Sequence, residues 1–259
     1  MQFIKIEQKG PLAVLWLNND AKSNSLNLQM IDEMTQAFAG FEEKKTRVVV
    51  LRSNPETKVW CAGLRIDQLP TPGKDPVPYA YSLEKILGCI ENFPGVVIAM
   101  INGSVWGGGC ELAFACDILI GGPRASFAIT PAKIGAPYNP NQVNRVLQRV
   151  GSNIAMELFF TAGVMSAARA ASLGILNHLV AAEALEPFTL NMASKILDNA
   201  PLAISLIKKQ VRQLATRTVE QMMQDKENRE AVKQVYLSND FAEGKRAFIE
   251  KRKPIFKGK

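Results

Sequence analysis

The hydrophobic and polar positions of the first fifty residues follow patterns that predict strands around a helix. Phe3–Glu7 alternates, and after a Gly-Pro turn Leu12–Leu17 continues as a second apolar run, which predicts a β-hairpin. Apolar residues then recur every three or four positions from Leu28 to Phe41, the spacing of an amphipathic helix. The uninterrupted apolar run Val48–Leu51 is typical of a buried strand. Short strand–helix–strand units of this kind predict a layered α/β fold.

The rest of the chain adds further strands and helices and then becomes all-helical. Four prolines and a glycine predict a loop over 70–78. The next predicted elements are a helix over about 79–92, a strand starting at Val96, a short buried helix over 110–116, strands over 117–120 and 126–129, and helices over about 141–150, 154–160 and 166–173. From about Glu183 onward the patterns are helical, with Pro201 in a first turn and a capping box of Thr218 with Gln221.

Composition limits the class of protein. The chain has 259 residues, 47% of them hydrophobic, which suffices for one large domain with or without a smaller appendage. No stretch approaches the roughly 20 apolar residues of a membrane-spanning helix, and the first residues lack the pattern of a signal peptide. A cytoplasmic protein is therefore expected. The four cysteines are not spaced as C-x-x-C and the one histidine is His178, so no metal site is expected.

The net charge of +7 is concentrated near the C-terminus. Residues 206–259 carry 14 Lys and Arg against 7 Asp and Glu, whereas residues 1–205 carry 17 of each class. A solvated helical surface explains most of the charges of such a segment, and contact with the phosphates of a ligand is an alternative. Nucleic-acid binding is a weaker alternative, because the segment has few aromatic residues to stack on bases and no recognised module. Neither a nucleic-acid nor a membrane partner is predicted.

A glycine-rich segment in the middle of the chain is a candidate functional site. The apolar run from Val96 ends at Asn102-Gly103, and three successive glycines at 107–109 then lead into an apolar helix start. Such a turn exposes backbone N–H groups at the positive end of a helix dipole, which suits an anion or an oxygen that becomes negative during a reaction. Neither G-x-G-x-x-G nor G-x-x-x-x-G-K-[ST] is present, so a nucleotide site gains little support. The alternative is a turn that only lets a helix pack on a strand.

A second segment, Val59–Leu69, changes the balance between these alternatives. Its Ala62-Gly63-Leu64, together with Gly103–Leu112, resembles the two oxyanion segments of the crotonase (enoyl-CoA hydratase/isomerase) superfamily. The resemblance covers nearly the whole chain and includes Lys22–Asn27, Ser126–Ala128 and Glu243–Pro254. It implies that the amides of Leu64 and Gly108 each donate a hydrogen bond to a thioester oxygen.

The same resemblance implies the fold, the partners and the substrate. The fold would be an α/β spiral of ββα units, although the sequence has no repeat of fixed period. A core over 1–190 would carry the acyl-CoA site, and a C-terminal all-helical region over 191–259 would assemble a homotrimer or a dimer of trimers. The substrate would be an acyl-CoA thioester. No separate cofactor is expected, because coenzyme A is part of that substrate.

The side chains around the expected oxyanion donors favour decarboxylation over hydration. Hydratases of the superfamily use two glutamates; Glu111 matches the first, whereas Ala132 stands in the place of the second, so the acid/base pair that adds water is incomplete. The segment Thr130–Asn139 resembles the methylmalonyl-CoA decarboxylase branch. On that interpretation the hydroxyls of Thr130 and Tyr138 orient the departing carboxylate. Glu111 would act as an acid/base, anchor a helix turn through hydrogen bonds, or be a carboxyl that burial keeps protonated.

Two positions depart from the branch and bear on substrate choice. Leu64 stands where relatives carry histidine, and Arg65 replaces the usual aspartate. A main-chain donor tolerates Leu64, whereas Arg65 is expected to form a surface salt bridge or to contact a phosphate of coenzyme A. By the same resemblance, the coenzyme A positions are Lys22, Ala62 and Ile66 along the adenine and pantetheine channel, and Phe248 and Lys251 near the coenzyme A of a neighbouring subunit.

Three functions stay open on this basis. The leading prediction is an acyl-CoA lyase that decarboxylates methylmalonyl-CoA or a close malonyl-CoA analogue. The alternatives are a hydratase or isomerase of enoyl-CoA esters, and a catalytically idle member that binds acyl-CoA.

Overall fold

The computed structural model describes residues 1–69 and 77–259, and the side chains of these residues apart from those at 68 and 77–82. The strands are β1 (Ile4–Lys9), β2 (Leu12–Leu17), β3 (Val48–Ser53), β4 (Val59–Cys61), β5 (Val96–Ile101), β6 (Ser104–Trp106), β7 (Ile118–Gly121), β8 (Ser126–Ala128), β9 (Met165–Ser166) and β10 (His178–Leu179). The helices are α1 (Leu28–Glu43), α2 (Val77–Asn92), α3 (Gly108–Ala115), α4 (Pro140–Thr161), α5 (Ala167–Ser172), α6 (Ala182–Leu197), α7 (Pro201–Leu214), α8 (Val219–Gln224), α9 (Lys226–Leu237) and α10 (Asn239–Ile249). Most of the loop expected at 70–78 lies outside the described residues.

Successive pairs of strands divide between two sheets, and a helix follows each pair. β3, β5 and β7 are parallel neighbours in a six-stranded sheet of order β1-β2-β3-β5-β7-β10. β4, β6 and β8 are parallel neighbours in a four-stranded sheet of order β4-β6-β8-β9. The units β3-β4-α2, β5-β6-α3 and β7-β8-α4 therefore each advance by one strand in both sheets. This is a spiral of ββα units, and the expected α/β fold class is confirmed.

The larger sheet is covered on both faces, which explains why its central strands are apolar without alternation. Every residue of β3 and of β5 is buried. One face packs in a core with α1, α2 and α3, and the other packs against α6 through Leu185 and Ala193. Trp60 in β4 ties the smaller sheet to the larger one, because its indole Nε1 donates to the carbonyl of Met100 at 2.9 Å. The two sheets therefore hold a fixed spacing beneath the candidate site.

Local patterns predicted most elements to within a few residues. β1 and β2 form the expected antiparallel hairpin, and α1 runs two residues past the predicted end, to Glu43. The two helices predicted between 141 and 160 lie on either side of a break at Gly151, whose φ of 72° and ψ of 168° interrupt α4. Pro201 in the first turn of α7 and the capping box of Thr218 with Gln221 are both confirmed.

The C-terminal part of the described chain is built from helices, α6 to α10. The predicted boundary at residue 190 falls inside α6, which packs on the larger sheet. The division into 1–190 and 191–259 stays a prediction. Within the described residues, no helix combines the length and the apolar character needed to cross a bilayer.

Candidate active site

Three parallel strands of the smaller sheet end at the same edge, and the predicted site residues follow directly after them. β4 ends at Cys61, β6 at Trp106 and β8 at Ala128. Leu64, Gly108 and Thr130 lie two or three positions beyond these ends. Because the carboxyl ends of parallel strands meet at one edge of a sheet, segments distant in sequence are brought together there, as in other α/β folds.

The amide of Leu64 is aimed by a single β-bridge. Leu26 and Leu64 pair in parallel: the Leu26 amide donates to the Gly63 carbonyl at 2.8 Å, and the Arg65 amide donates to the Leu26 carbonyl at 3.1 Å. In a parallel bridge the residues on either side of Leu64 make these bonds, so the N–H of Leu64 itself points away from Leu26. Among the described residues it donates to no carbonyl.

The amide of Gly108 is freed by the turn that starts α3. Gly107 has φ 50° and ψ −119°, a conformation that suits glycine, and its own amide donates to the Ala128 carbonyl at 2.9 Å. Gly108 is the first residue of α3, where backbone N–H groups have no partner inside the helix. Within the described part of the chain this amide donates to no carbonyl either. All eight residues of α3 are buried, so its positive end is shielded from bulk water.

The two amides border the same space. Gly63, at φ 81°, packs so closely on the glycine turn that a methyl group there would lie 2.5 Å from the Trp106 oxygen and 2.9 Å from the Gly108 nitrogen. A methyl group on Gly108 would lie 3.4 Å from the Leu64 nitrogen. The segments that carry Leu64 and Gly108 therefore lie against each other. The Leu64 side chain lies beside them, 3.1 Å from that same methyl position, and makes this wall of the site apolar.

Glu111 lies one turn along α3 from Gly108 and is almost fully buried. Gln142 in α4 donates to its Oε1 at 2.8 Å, and Arg145 Nη1 approaches its Oε2 at 3.3 Å. Burial raises the pKa of Glu111 to about 8; the Arg145 charge opposes this rise and the Glu84 charge adds to it. Burial therefore favours the protonated form of this carboxyl.

Tyr138 and Thr130 place two hydroxyls near these groups. The buried Tyr138 hydroxyl has no partner with hydrogen-bond geometry among the described residues, and its ring packs edge-on against Phe159. Burial raises the pKa of Tyr138 well above its usual value, and the nearby Glu111 charge raises it further. The Thr130 hydroxyl would be 3.7 Å from a methyl group on Gly107. Both residues thus border the oxyanion segments as polar groups without a full charge.

The expected coenzyme A positions divide into two places. Lys22, Ala62 and Ile66 belong to the segments around the Leu64 bridge: the Ala62 amide donates to the Ser23 carbonyl at 3.0 Å, and Ile66 is largely exposed. The Lys22 charge helps to lower the pKa of Asp67, after the hydrogen bond from Arg65, so Lys22 faces the same surface. Arg65 forms the expected surface salt bridge, with Asp67.

Phe248 and Lys251 lie elsewhere, at the end of α10. Phe248 is 86% exposed and borders an apolar cavity with Phe241, Ile249 and Phe256. Lys251 is exposed, with φ 52°. Their expected contact with the coenzyme A of a neighbouring subunit stays a prediction.

Two residues that bind Glu111, Arg145 and Gln142, were missed from the sequence. Arg145 in α4 reaches Glu111 from behind and also binds Glu84 and Glu91 of α2. The available signal was a basic residue on the apolar face of a predicted helix, where it needs buried partners. Among the described residues, no group of three or more His, Cys, Asp or Glu side chains is arranged to hold a metal ion.

Comparison with known proteins identifies the family of this chain. The family model for enoyl-CoA hydratase/isomerase matches residues 7–259. The methylmalonyl-CoA decarboxylase of Escherichia coli (strain K12) is 38% identical over 257 residues, which cover 99% of this chain and 98% of that protein. A solved methylmalonyl-CoA decarboxylase in complex with 2-nitronate-propionyl-CoA is 38% identical with a TM-score of 0.81, covering 100% of this chain and 99% of that one. The enoyl-CoA hydratase from Bacillus anthracis is 29% identical with a TM-score of 0.87, covering 100% of both chains. The chain therefore belongs to the enoyl-CoA hydratase/isomerase family, the crotonase superfamily.

Proposed function

We propose that this protein is an acyl-CoA lyase that decarboxylates methylmalonyl-CoA or a close malonyl-CoA analogue. The bond between the α-carbon and the carboxylate breaks, its electron pair moves toward the thioester oxygen, and CO2 leaves. The amides of Leu64 and Gly108 then hold the enolate oxygen. Each preorganised donor of this kind contributes about 3 kcal/mol to stabilising the developing charge.

The observation that carries the proposal is the residue at position 132. Ala132 lies in a short 3-10 helix, Pro131–Ile134, directly after the strand end that delivers Thr130. Hydration needs a second carboxyl there to complete the acid/base pair, and alanine supplies none. Decarboxylation needs only an oriented carboxylate and an acceptor for the enolate charge. The neutral hydroxyls of Thr130 and Tyr138 suit the first task, since a strong cation would stabilise the carboxylate that has to leave.

An enoyl-CoA hydratase or isomerase is the second candidate. Glu111 is kept at the place of the first hydratase glutamate, and the match to the enoyl-CoA hydratase from Bacillus anthracis supports this alternative. A single glutamate suffices for isomerisation, because one carboxylate can take a proton from one carbon and return it to another. Hydration instead takes a proton from water and delivers one to the α-carbon, a task that the superfamily divides between two glutamates.

Paired assays on the purified protein separate the candidates. We expect CO2 release from methylmalonyl-CoA and no hydration or isomerisation of crotonyl-CoA or 3-enoyl-CoA esters. Turnover of the enoyl esters without CO2 release would reverse the assignment. Retained binding of acyl-CoA without turnover of either class would identify a catalytically idle member.

We also propose that the protein assembles as a homotrimer or a dimer of trimers through its C-terminal helices. Ile207, Val211 and Leu214 form an exposed apolar stripe along α7, and Phe248 is exposed at the end of α10. Apolar faces of this kind favour burial against another subunit. Sedimentation equilibrium should give three or six times the mass of the 28.4 kDa chain; a monomer would refute the assembly.

A further inference from the structure

A buried arginine behind the candidate site is shared by three carboxylates. The Arg145 guanidinium approaches Glu91 Oε1 at 2.7 Å through Nε, Glu84 Oε2 at 3.0 Å through Nη2, and Glu111 Oε2 at 3.3 Å through Nη1. The Arg145 side chain is only 7% exposed. With every carboxyl ionised, one positive charge would face three negative ones in a region of low polarity. Such a cluster is stabilised when one carboxyl keeps a proton.

The distances indicate which carboxyl keeps it. Glu84 and Glu91 take the shorter contacts and are 22% and 26% exposed, so water solvates their charges in part. Glu111 has the longest contact and is 2% exposed. Glu84 also competes directly with Glu111, because its Oε1 lies 3.4 Å from the same Nη1. Ionising Glu111 is therefore the costliest choice, in agreement with the raised pKa of this group.

The position of Glu111 on α3 aims its carboxyl toward the oxyanion segments. Glu111 is three residues after Gly108 and so lies on the same helix face. Long side chains in helices lean back toward the N-terminus, which here is the end that carries the Gly108 amide. Gln142 fixes Oε1, and Arg145 approaches Oε2 from the other side. The carboxyl is thus anchored from α4, on the helix face that Glu111 shares with Gly108.

We propose that Glu84, which competes for the Arg145 guanidinium, is a positioning residue that keeps Glu111 in its proton-bearing form, that Arg145 holds the Glu111 carboxyl in place, and that Glu111 is the acid that protonates the enolate. This inference rests on the proposed function. The Oε–H bond of Glu111 breaks as a C–H bond forms at the α-carbon, which gives the acyl-CoA product and a Glu111 carboxylate. Arg145 stabilises that carboxylate until water returns a proton. Glu84, Glu91 and Arg145 line a cavity of about 610 Å³.

The groups that face Glu111 come from each element packed against it. Arg145 and Gln142 lie on α4, Glu84 on α2 and Tyr138 in the segment before α4. Cys110 is the neighbouring residue on α3, and the Glu111 charge contributes to raising its pKa, after burial and against a backbone hydrogen bond. Of these groups, Glu84 is the one that both repels the Glu111 charge and occupies the same guanidinium nitrogen.

The test titrates Glu111 directly in three proteins: the wild type, Glu84→Gln, and the matched control Glu91→Gln. Protein labelled with ¹³C at the glutamate carboxyl carbon is followed by NMR from pH 5 to pH 10, and Glu111→Gln assigns the resonance. We expect a midpoint near pH 8 in the wild type and a midpoint at least one pH unit lower in Glu84→Gln, about a tenfold rise in the acid dissociation constant. Glu91→Gln should move it less, because Glu91 binds Nε and not the nitrogen that faces Glu111.

A pH profile of kcat for methylmalonyl-CoA decarboxylation follows in the same proteins. In Glu84→Gln the alkaline limb of the kcat profile should move to lower pH by the same amount as the Glu111 midpoint. In Glu91→Gln it should move only by the smaller shift that NMR measures for that variant. Equal NMR shifts in the two variants, or a wild-type midpoint below pH 6, would overturn the positioning assignment. A kcat limb that stays in place while the NMR midpoint moves would overturn the acid assignment. Predicted NMR midpoints without decarboxylation of any malonyl thioester would instead refute the proposed function and leave the positioning of Glu111 supported.

Discussion

The most direct physical consequence of the buried Glu111 carboxyl is a pH-dependent cost to stability. Burial raises its pKa from 4.5 to about 8 in the folded protein, whereas the unfolded chain keeps the ordinary value. Below about pH 4.5 both states hold the proton and this group has no effect. Between about pH 4.5 and 8 the unfolded chain releases the proton and the folded protein retains it. Stability therefore falls through this window as pH rises, by about 1.4 kcal/mol per pH unit.

Glu111→Gln removes this titration, and the size of the effect follows from the pKa. A rise of about 3.5 pKa units corresponds to about 5 kcal/mol between the two ends of the window. Glutamine keeps an oxygen for the Gln142 donor but places an amide near Arg145, which adds a cost that does not depend on pH. Relative to the wild type, the variant should thus gain about 5 kcal/mol between pH 4.5 and pH 8, whatever the offset at low pH.

Urea denaturation of both proteins at one protein concentration, in steps of one pH unit from pH 5 to pH 9, measures this difference. The curve of variant minus wild type should rise with a slope of about 1.4 kcal/mol per pH unit and become flat above pH 8. Glu157→Gln, an exposed substitution of the same type, shows what loss of a surface carboxylate does alone. A Glu111→Gln curve that is flat from pH 5 to pH 8 would refute the reasoning, because Glu111 would then ionise in the folded protein as it does in the unfolded chain.

Three further predictions concern the turn, the tyrosine and the cysteines. Gly63→Ala combines a φ of 81° with a methyl group 2.5 Å from the Trp106 oxygen, so the free energy of unfolding should drop by at least about 2 kcal/mol and activity should be lost; a denaturation midpoint like that of the wild type would contradict this. Tyr138→Phe should lower kcat for decarboxylation about tenfold or more, because it removes one of the two hydroxyls proposed to orient the departing carboxylate; an unchanged kcat would remove Tyr138 from the mechanism. Of the four thiols only that of Cys89 is not fully buried, so a thiol reagent should label one cysteine in the native protein and four in urea; fast labelling of a second native thiol would be evidence against the packing around α3.

The elements that the sequence predicted well are those whose signals are local. The β1–β2 hairpin needs only two alternating runs and a turn, and α1 needs only apolar residues at helical spacing. The break at Gly151 was visible as a gap between two helical patterns, and the two halves of α4 lie on either side of it. The spiral itself carried no local signal, because β3 pairs with β5 across more than forty residues. It was expected only through the resemblance.

The charge cluster behind the site could not be predicted for the same reason. Glu84, Glu91, Glu111 and Arg145 come from three helices, and no spacing in the sequence relates them. Taken alone, each residue has a common interpretation in the sequence. Two are glutamates on an amphipathic helix, one is a glutamate after a glycine turn, and one is an arginine within a helix. Only the packing of α2, α3 and α4 turns them into one buried group with a shared cation.

The site separates what the backbone does from what the side chains do, and the separation explains how one fold serves different reactions. The Leu64 and Gly108 amides are set by a β-bridge, a glycine turn and three strand ends, which are main-chain features that use no side chain of residue 64 or 132. An enolate oxygen can therefore be held whether position 132 carries glutamate or alanine. The side chains decide only how the enolate arises and where its proton comes from. On the proposed function, alanine at 132 leaves the departure of CO2 as the accessible way to form the enolate, and Glu111, held protonated by its neighbours, remains as the acid that completes the reaction.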